Sequence, residues 1–143
     1  MAAEDGDHSV IEPGAYATNE DWEQTLETIL QYHEDESPIP HVRKFELVKG
    51  DVSRTVPHYL EQHPETIVAL AYFDMDLYQP TRDALAAIRP YLTRGSVLGF
   101  DEACLASLPG ETVAIREVLG LDRIRLRRTP YCPVSAFAIW AGD

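Results

Sequence analysis

The sequence predicts an α/β fold with a mostly parallel sheet. Two apolar runs of strand length, "TIVALAYFD" and "SVLGFDE", alternate with "PTRDALAAIRPYL" and "GETVAIREVLG", whose apolar residues fall at helical spacing. Strands joined by one crossover helix lie side by side and parallel. With 143 residues, 45% of them hydrophobic, the chain is sized for one domain with a sizeable core.

Residues 1–18 have no useful periodicity and carry Gly6, Pro13 and Gly14, so they read as acidic loop or disordered chain. The domain proper is expected over 19–143. "TNEDWEQTLETILQYHEDE" opens it as a helix. Thr18 or Asn19 can cap it, acids crowd its first turn, and Trp22, Leu26, Ile29, Leu30 and His33 share a face. Pro38 and Pro40 stop it. "VRKFELVKGD" reads as a short strand. "SRTVPHYLEQH" reads as a helix with Ser53 as cap, ending before Pro64. "TIVALAYFD" is apolar enough for a strand buried on both faces. "PTRDALAAIRPYL" is a helix with Leu85, Ile88 and Leu92 on one side, and Gly95 breaks the chain before "SVLGFDE". Gly120 ends the helix "GETVAIREVLG". "RIRLRRT" and "SAFAIWAG" close the chain as strands joined through "PYCPV".

Composition excludes several partners. Net charge is −12, and residues 1–40 contain no Lys or Arg. That surface repels nucleic acid. The basic cluster Arg123, Arg125, Arg127 and Arg128 alternates as the solvated face of a strand would. No apolar run reaches the ~20 residues a membrane span needs, and "MAAEDGDHSV" lacks the basic and apolar regions of a signal peptide. A soluble cytoplasmic protein is expected. Cys104 and Cys132 stand apart from any CxxC or Cys/His cluster, so they read as free thiols and not as zinc ligands.

The chemistry is expected where strands end, because ligands of open α/β sheets bind outside the carboxyl ends of the strands. Three strands end in acid: at Asp51, at Asp74 and Asp76, and at Asp101-Glu102. The last two strands are predicted neighbours, about 4.8 Å apart. Asp74, Asp101 and Glu102 can then converge. Acids so placed repel unless something neutralises them, and a hard cation such as Mg²⁺ or Ca²⁺ takes carboxylate oxygens. Asp76 points elsewhere and is the candidate general base. The plainer alternative for each acid is a helix cap or a solvated loop.

"KFELVKGD", "ALAYFDMDLYQPTRDALAAIRPYLTRGSVLGFDE" and "LPGETVAIREVLG" together resemble the macrocin-type (TylF-like) sugar O-methyltransferases of antibiotic pathways, from about Trp22 to Trp140. The resemblance implies a class I, S-adenosylmethionine-dependent enzyme with a partial Rossmann-like sheet, mostly parallel with an antiparallel terminal strand. It implies Mg²⁺ held by Asp74, Asp101 and Glu102, where many members carry Asp in place of Glu102. Asp76 is the implied base, and Asp51 and Asp74 the implied cofactor-side residues. Capping of the following helix is the alternative role for Asp51. The implied substrate is a small sugar-bearing acceptor.

No GxGxG-like turn follows a strand in residues 1–40. The resemblance therefore implies a C-terminal portion lacking the first two strands of the family's sheet, whose order is 3-2-1-4-5-7-6. "KFELVKGD" would then have no neighbour, and a homo-oligomer or a partner chain would supply the missing half. Two rival readings remain. One is a degenerate, non-catalytic methyltransferase-like domain. The other is a DxD phosphatase of haloacid-dehalogenase type, against which Tyr78 stands where Thr or Val is wanted and no lysine follows Lys49. A DxD glycosyltransferase is weaker still.

Overall fold

The structure is a computed structural model that describes residues 2–6, 18–19 and 21–142. The chain divides into two compact units, residues 12–49 and residues 1–11 with 50–143. Most of the predicted N-terminal loop, residues 7–17, lies outside the described residues.

In the smaller unit, helix α1 spans Trp22–Asp35. It starts later than Thr18 or Asn19, and Asp21 precedes it without a side-chain cap. The strand expected at "VRKFELVKGD" does not form. A strand needs a partner for its backbone groups, and among the described residues no strand lies beside this segment. Its cations face the acids of α1 instead. Arg43 donates to Gln31 at 2.7 Å and lies 3.4 Å from Glu27 and 3.6 Å from Glu34. The Lys44 amide donates to Glu34 Oε1 at 2.5 Å, and Lys49 pairs with Glu23.

The larger unit begins with a 3-10 turn, Ala3–Asp5, and continues with α2 (Val52–Gln62), β1 (Val68–Phe73), α3 (Tyr78–Ile88), a 3-10 turn (Arg89–Tyr91), β2 (Leu92–Phe100), α4 (Gly110–Val118) and β3 (Ala136–Ile139). The strands form a three-stranded sheet in the order β1-β2-β3. β1 and β2 are parallel, and β3 is antiparallel to β2. This is the expected α/β pattern. The strand expected at "RIRLRRT" shrinks to a single bridge, Arg127 to Phe137. Its four arginines are exposed, as expected, and Arg128 also donates to the carbonyls of Pro133, at 2.7 Å, and Ala103.

Helices α2, α3 and α4 cover one face of the sheet. Leu60, Leu85, Ile88, Ile115 and Leu119 meet Phe73, Leu98 and Phe100 there, and the two phenylalanine rings stack at 5.1 Å. The other face is open, so β1 is not buried on both sides as its composition suggested. Leu70 is 67% exposed and Tyr72 55%. They line a shallow apolar hollow of about 280 Å³ with Val97, Gly99 and Phe137. Cys104 and Cys132 are free thiols. Among the described residues no helix is long and apolar enough to cross a membrane.

The N-termini of α3 and α4 meet closely. Asp5, 1% exposed, accepts the Tyr78 amide at 2.6 Å and the Ala2 amide at 2.6 Å. A Cβ on Gly110 would lie 2.5 Å from the Tyr78 nitrogen and 2.8 Å from Asp5 Oδ1. Backbone cannot yield as a flexible side chain does. Gly110→Ala is therefore expected to destabilise by about 1–3 kcal/mol, the usual cost of overpacking, read as a lower urea midpoint.

Candidate functional site

The strand ends carry the site because their register is level. Phe73, the last residue of β1, pairs with Phe100, the last of β2. The Asp101 amide then donates to the Phe73 carbonyl at 3.0 Å. The acids that follow each strand are thus held side by side. After Phe73 the chain turns sharply, with the Leu77 amide 2.5 Å from the Met75 carbonyl and Asp76 at φ 58°. That left-handed conformation is uncommon outside glycine, and Asp and Asn tolerate it best.

The turn brings Asp76 inward. Asp74, Asp76 and Glu102 each offer a carboxylate oxygen, and these oxygens all lie within 4.8 Å of one another. Glu102 also feels the charges of Asp76 and Asp101. Asp101 sits slightly apart, its Oδ1 accepting from Ser135 Oγ at 3.0 Å and from the Tyr72 hydroxyl.

Electrostatics separate Glu102, Asp74 and Asp101. Burial, then the Asp76 charge and hydrogen bond, push Glu102 up to about 8. Burial, followed by Asp101 and Asp76, also raises Asp74. Asp101 is lowered, chiefly by the Tyr72 hydroxyl, and the same bond raises Tyr72. Glu102 Oε2 is buried without a hydrogen-bond partner. A hard divalent cation fits these donors: they are carboxylate oxygens, they are close, and they hold more negative charge than the site neutralises.

Sequence reading separated Asp76 from the acids it expected to bind metal; the structure places Asp76 with Asp74 and Glu102. Asp51 caps α2, its carboxylate accepting the Ser53 amide at 3.0 Å. That is the alternative role noted for it. Three participants were not foreseen. Tyr72 and Ser135 converge on Asp101 from β1 and the segment before β3. Glu111, 0% exposed at the start of α4, accepts the Glu102 amide at 3.2 Å. Burial pushes it up to about 7, against the pull of the Glu102 and Met75 amides. The "PGE" motif holds this residue, yet nothing in its local pattern says where the carboxyl points.

No protein-family model matches the chain, and no curated protein matches it. Solved structures do. The calicheamicin methyltransferase CalS11 matches with a TM-score of 0.86 and 45% identity over 98% of this chain. An apo structure of CalS11, described as a TDP-rhamnose 3'-O-methyltransferase of calicheamicin biosynthesis, matches with a TM-score of 0.83 and 46% identity over 90%. Each match spans 56% of the CalS11 chain, so this chain is similar to little more than half of that relative. The O-methyltransferase NovP shares the fold, with a TM-score of 0.57 and 18% identity over 71% of this chain and 39% of its own. The three-stranded sheet is accordingly partial relative to the fold of these neighbours. Identity this high over nearly the whole chain, with the same fold, makes the chain a relative of the sugar O-methyltransferase CalS11 over little more than half of that protein's length.

Proposed function

We propose that this chain carries the acidic part of a cytoplasmic site that transfers a methyl group from S-adenosylmethionine to a sugar hydroxyl, in a nucleotide sugar or a sugar-bearing natural product, with Mg²⁺. The observation that supports it best is the gathering of Asp74, Asp76 and Glu102 at level strand ends, in a chain 45% identical to a calicheamicin methyltransferase. Asp74 and Glu102 are the proposed cation holders, with Asp101 beside them. When bound, Mg²⁺ makes a chelating hydroxyl more acidic, and S-adenosylmethionine provides the methyl group. Asp76 accepts the hydroxyl proton at its carboxylate. Tyr72 and Ser135 keep Asp101 ionised and fixed in direction.

A non-catalytic, assembling role is the second reading, and the open sheet favours it. Among the described residues the outer edge of β1 has no strand beside it, and Leu70 and Tyr72 are exposed. A second copy or a partner chain covering that face is proposed in either case.

The chain on its own is expected to bind S-adenosylmethionine weakly. No GxGxG-like turn follows a strand in residues 1–40, and Asp51 is engaged in capping. Calorimetric titration checks this; micromolar affinity would contradict it. Function is tested by following labelled methyl from an excess of donor to a nucleotide sugar, with Mg²⁺ and with a chelator. Label in the sugar that disappears with the chelator supports the enzyme. Folded protein that transfers nothing under either condition supports the assembling role.

A further inference from the structure

We propose that Glu111 is a positioning residue: one buried carboxyl on α4 clasps the two turns that carry the site's acids and sets the distance between them. Its bearing on a bound cation rests on the reading above; the clasp itself does not.

The geometry is specific. Glu111 Oε2 accepts the amide of Glu102 at 3.2 Å, and that amide joins the two acids following β2. The Met75 amide, which stands between Asp74 and Asp76, also works to lower the Glu111 carboxyl's pKa, less than the Glu102 amide does. The next residue of α4 reinforces one side, since Thr112 Oγ1 accepts the Cys104 amide at 2.7 Å. Among the described residues, Asp76 and Cys104 are the non-glycine residues with positive φ, at 58° and 65°. One lies in each clasped turn. Strained conformations persist only where their surroundings over-determine them, and α4 restrains the Cys104 turn through Thr112 and Glu111. The base of the clasp is rigid, because Gly110 is wedged against the Tyr78 backbone and Asp5.

Stability alone does not explain the choice of residue. Glu111 is fully buried and its Oε1 has no hydrogen-bond partner. Burying a carboxyl so poorly paired is costly, and an apolar residue would pack more favourably. What an apolar residue lacks is an acceptor for the Glu102 amide and a carboxyl that responds to the Met75 amide.

The test combines amide hydrogen exchange with Mn²⁺ titration of the full chain, comparing wild type, Glu111→Ala, Glu111→Gln and Ile115→Ala. Ile115 is buried on the same helix and takes no part in the turns. Glu111→Ala is expected to speed exchange about tenfold or more at Met75 and Glu102 while β2 stays protected, the signature of a local opening. It should weaken Mn²⁺ about 10–100-fold, as lost outer supports of metal ligands do. Glu111→Gln keeps an acceptor and should restore both. Ile115→Ala should speed exchange broadly and leave Mn²⁺ affinity unchanged. If Glu111→Ala does not fold, Glu111→Asp takes its place, since a carboxyl one methylene shorter withdraws from both amides. The clasp is overturned if the two turns keep wild-type exchange, or if Mn²⁺ binds wild type and the shortened variant alike. If wild type ignores Mn²⁺ while the turns still respond, the clasp stands and the cation reading fails.

Discussion

Asp76→Asn is expected to lower turnover by about 10²–10⁴-fold in any assembly of this chain that transfers methyl groups, the usual contribution of a positioned general base. The substitution is unusually clean. Asp76 sits at φ 58°, where Asn is as comfortable as Asp. The new side chain has the same size and can still accept a hydrogen bond through its amide oxygen. What it cannot do is take up a proton from an acceptor hydroxyl. A base removed this way lowers kcat and kcat/KM together, while the affinities for cofactor and Mg²⁺ stay near wild type. Because the structure places Asp76 within 4.8 Å of the Asp74 and Glu102 oxygens, ligation is the competing role. A steep loss of Mg²⁺ affinity with the rate recovered at saturating Mg²⁺ would assign Asp76 to the metal and leave the base to be found elsewhere.

Free of divalent cations, the folded chain is expected to lose stability as pH rises from about 5 to about 8. Burial raises Glu102 from 4.5 to about 8 and Glu111 from 4.5 to about 7. The folded state therefore favours the protonated forms of both, and the unfolded chain releases those protons near 4.5. Their contribution to stability is fully present below that value and is lost as pH rises through 7 and 8. For Glu111, which is 0% exposed, the shift corresponds to about 3 kcal/mol, a large share of the ~5–15 kcal/mol a domain possesses. Asp101 and Asp83 act the other way, since hydrogen bonds from Tyr72 and Arg82 help lower both, and their contributions disappear in acid. Maximum stability should lie in mild acid. Urea midpoints at pH 5 and pH 8 measure the effect. Glu111→Gln should flatten part of it, and Mg²⁺ should offset the loss at pH 8. A profile flat across this range in the cation-free chain would show that neither carboxyl is as buried as the geometry states.

Elements of the fold were legible where local pattern and tertiary need agreed. The helices α1 to α4 and the strands β1, β2 and β3 fall near the expected segments, because helical spacing and β-branched runs are local signals, but α3 stops at Ile88 and Leu92, expected on its apolar face, instead opens β2, which runs on through Gly95. Two expected strands failed for one reason. "VRKFELVKGD" and "RIRLRRT" have strand composition, but pairing is a property of neighbours. Among the described residues the first has no strand beside it, and the second pairs with β3 at Arg127 alone. The open face was equally invisible. Leu70 and Tyr72 sit in a run apolar enough for full burial, and only the placement of all three larger-unit helices on the opposite face leaves them exposed.

The sequence by itself determined which acids could form a site, since residue type and position at a strand end need no coordinates. It also determined the kinship with sugar O-methyltransferases, through motifs spread along the chain. Which acids actually meet was decided by tertiary structure alone. A left-handed turn swings Asp76 toward Asp74 and Glu102, while Tyr72 and Ser135 draw Asp101 aside. Glu111 and Asp5 enter from segments far along the chain, carrying carboxyls into contact with backbone amides. Such contacts depend on the direction of a side chain across a packed interface, and direction across space is absent from a linear pattern.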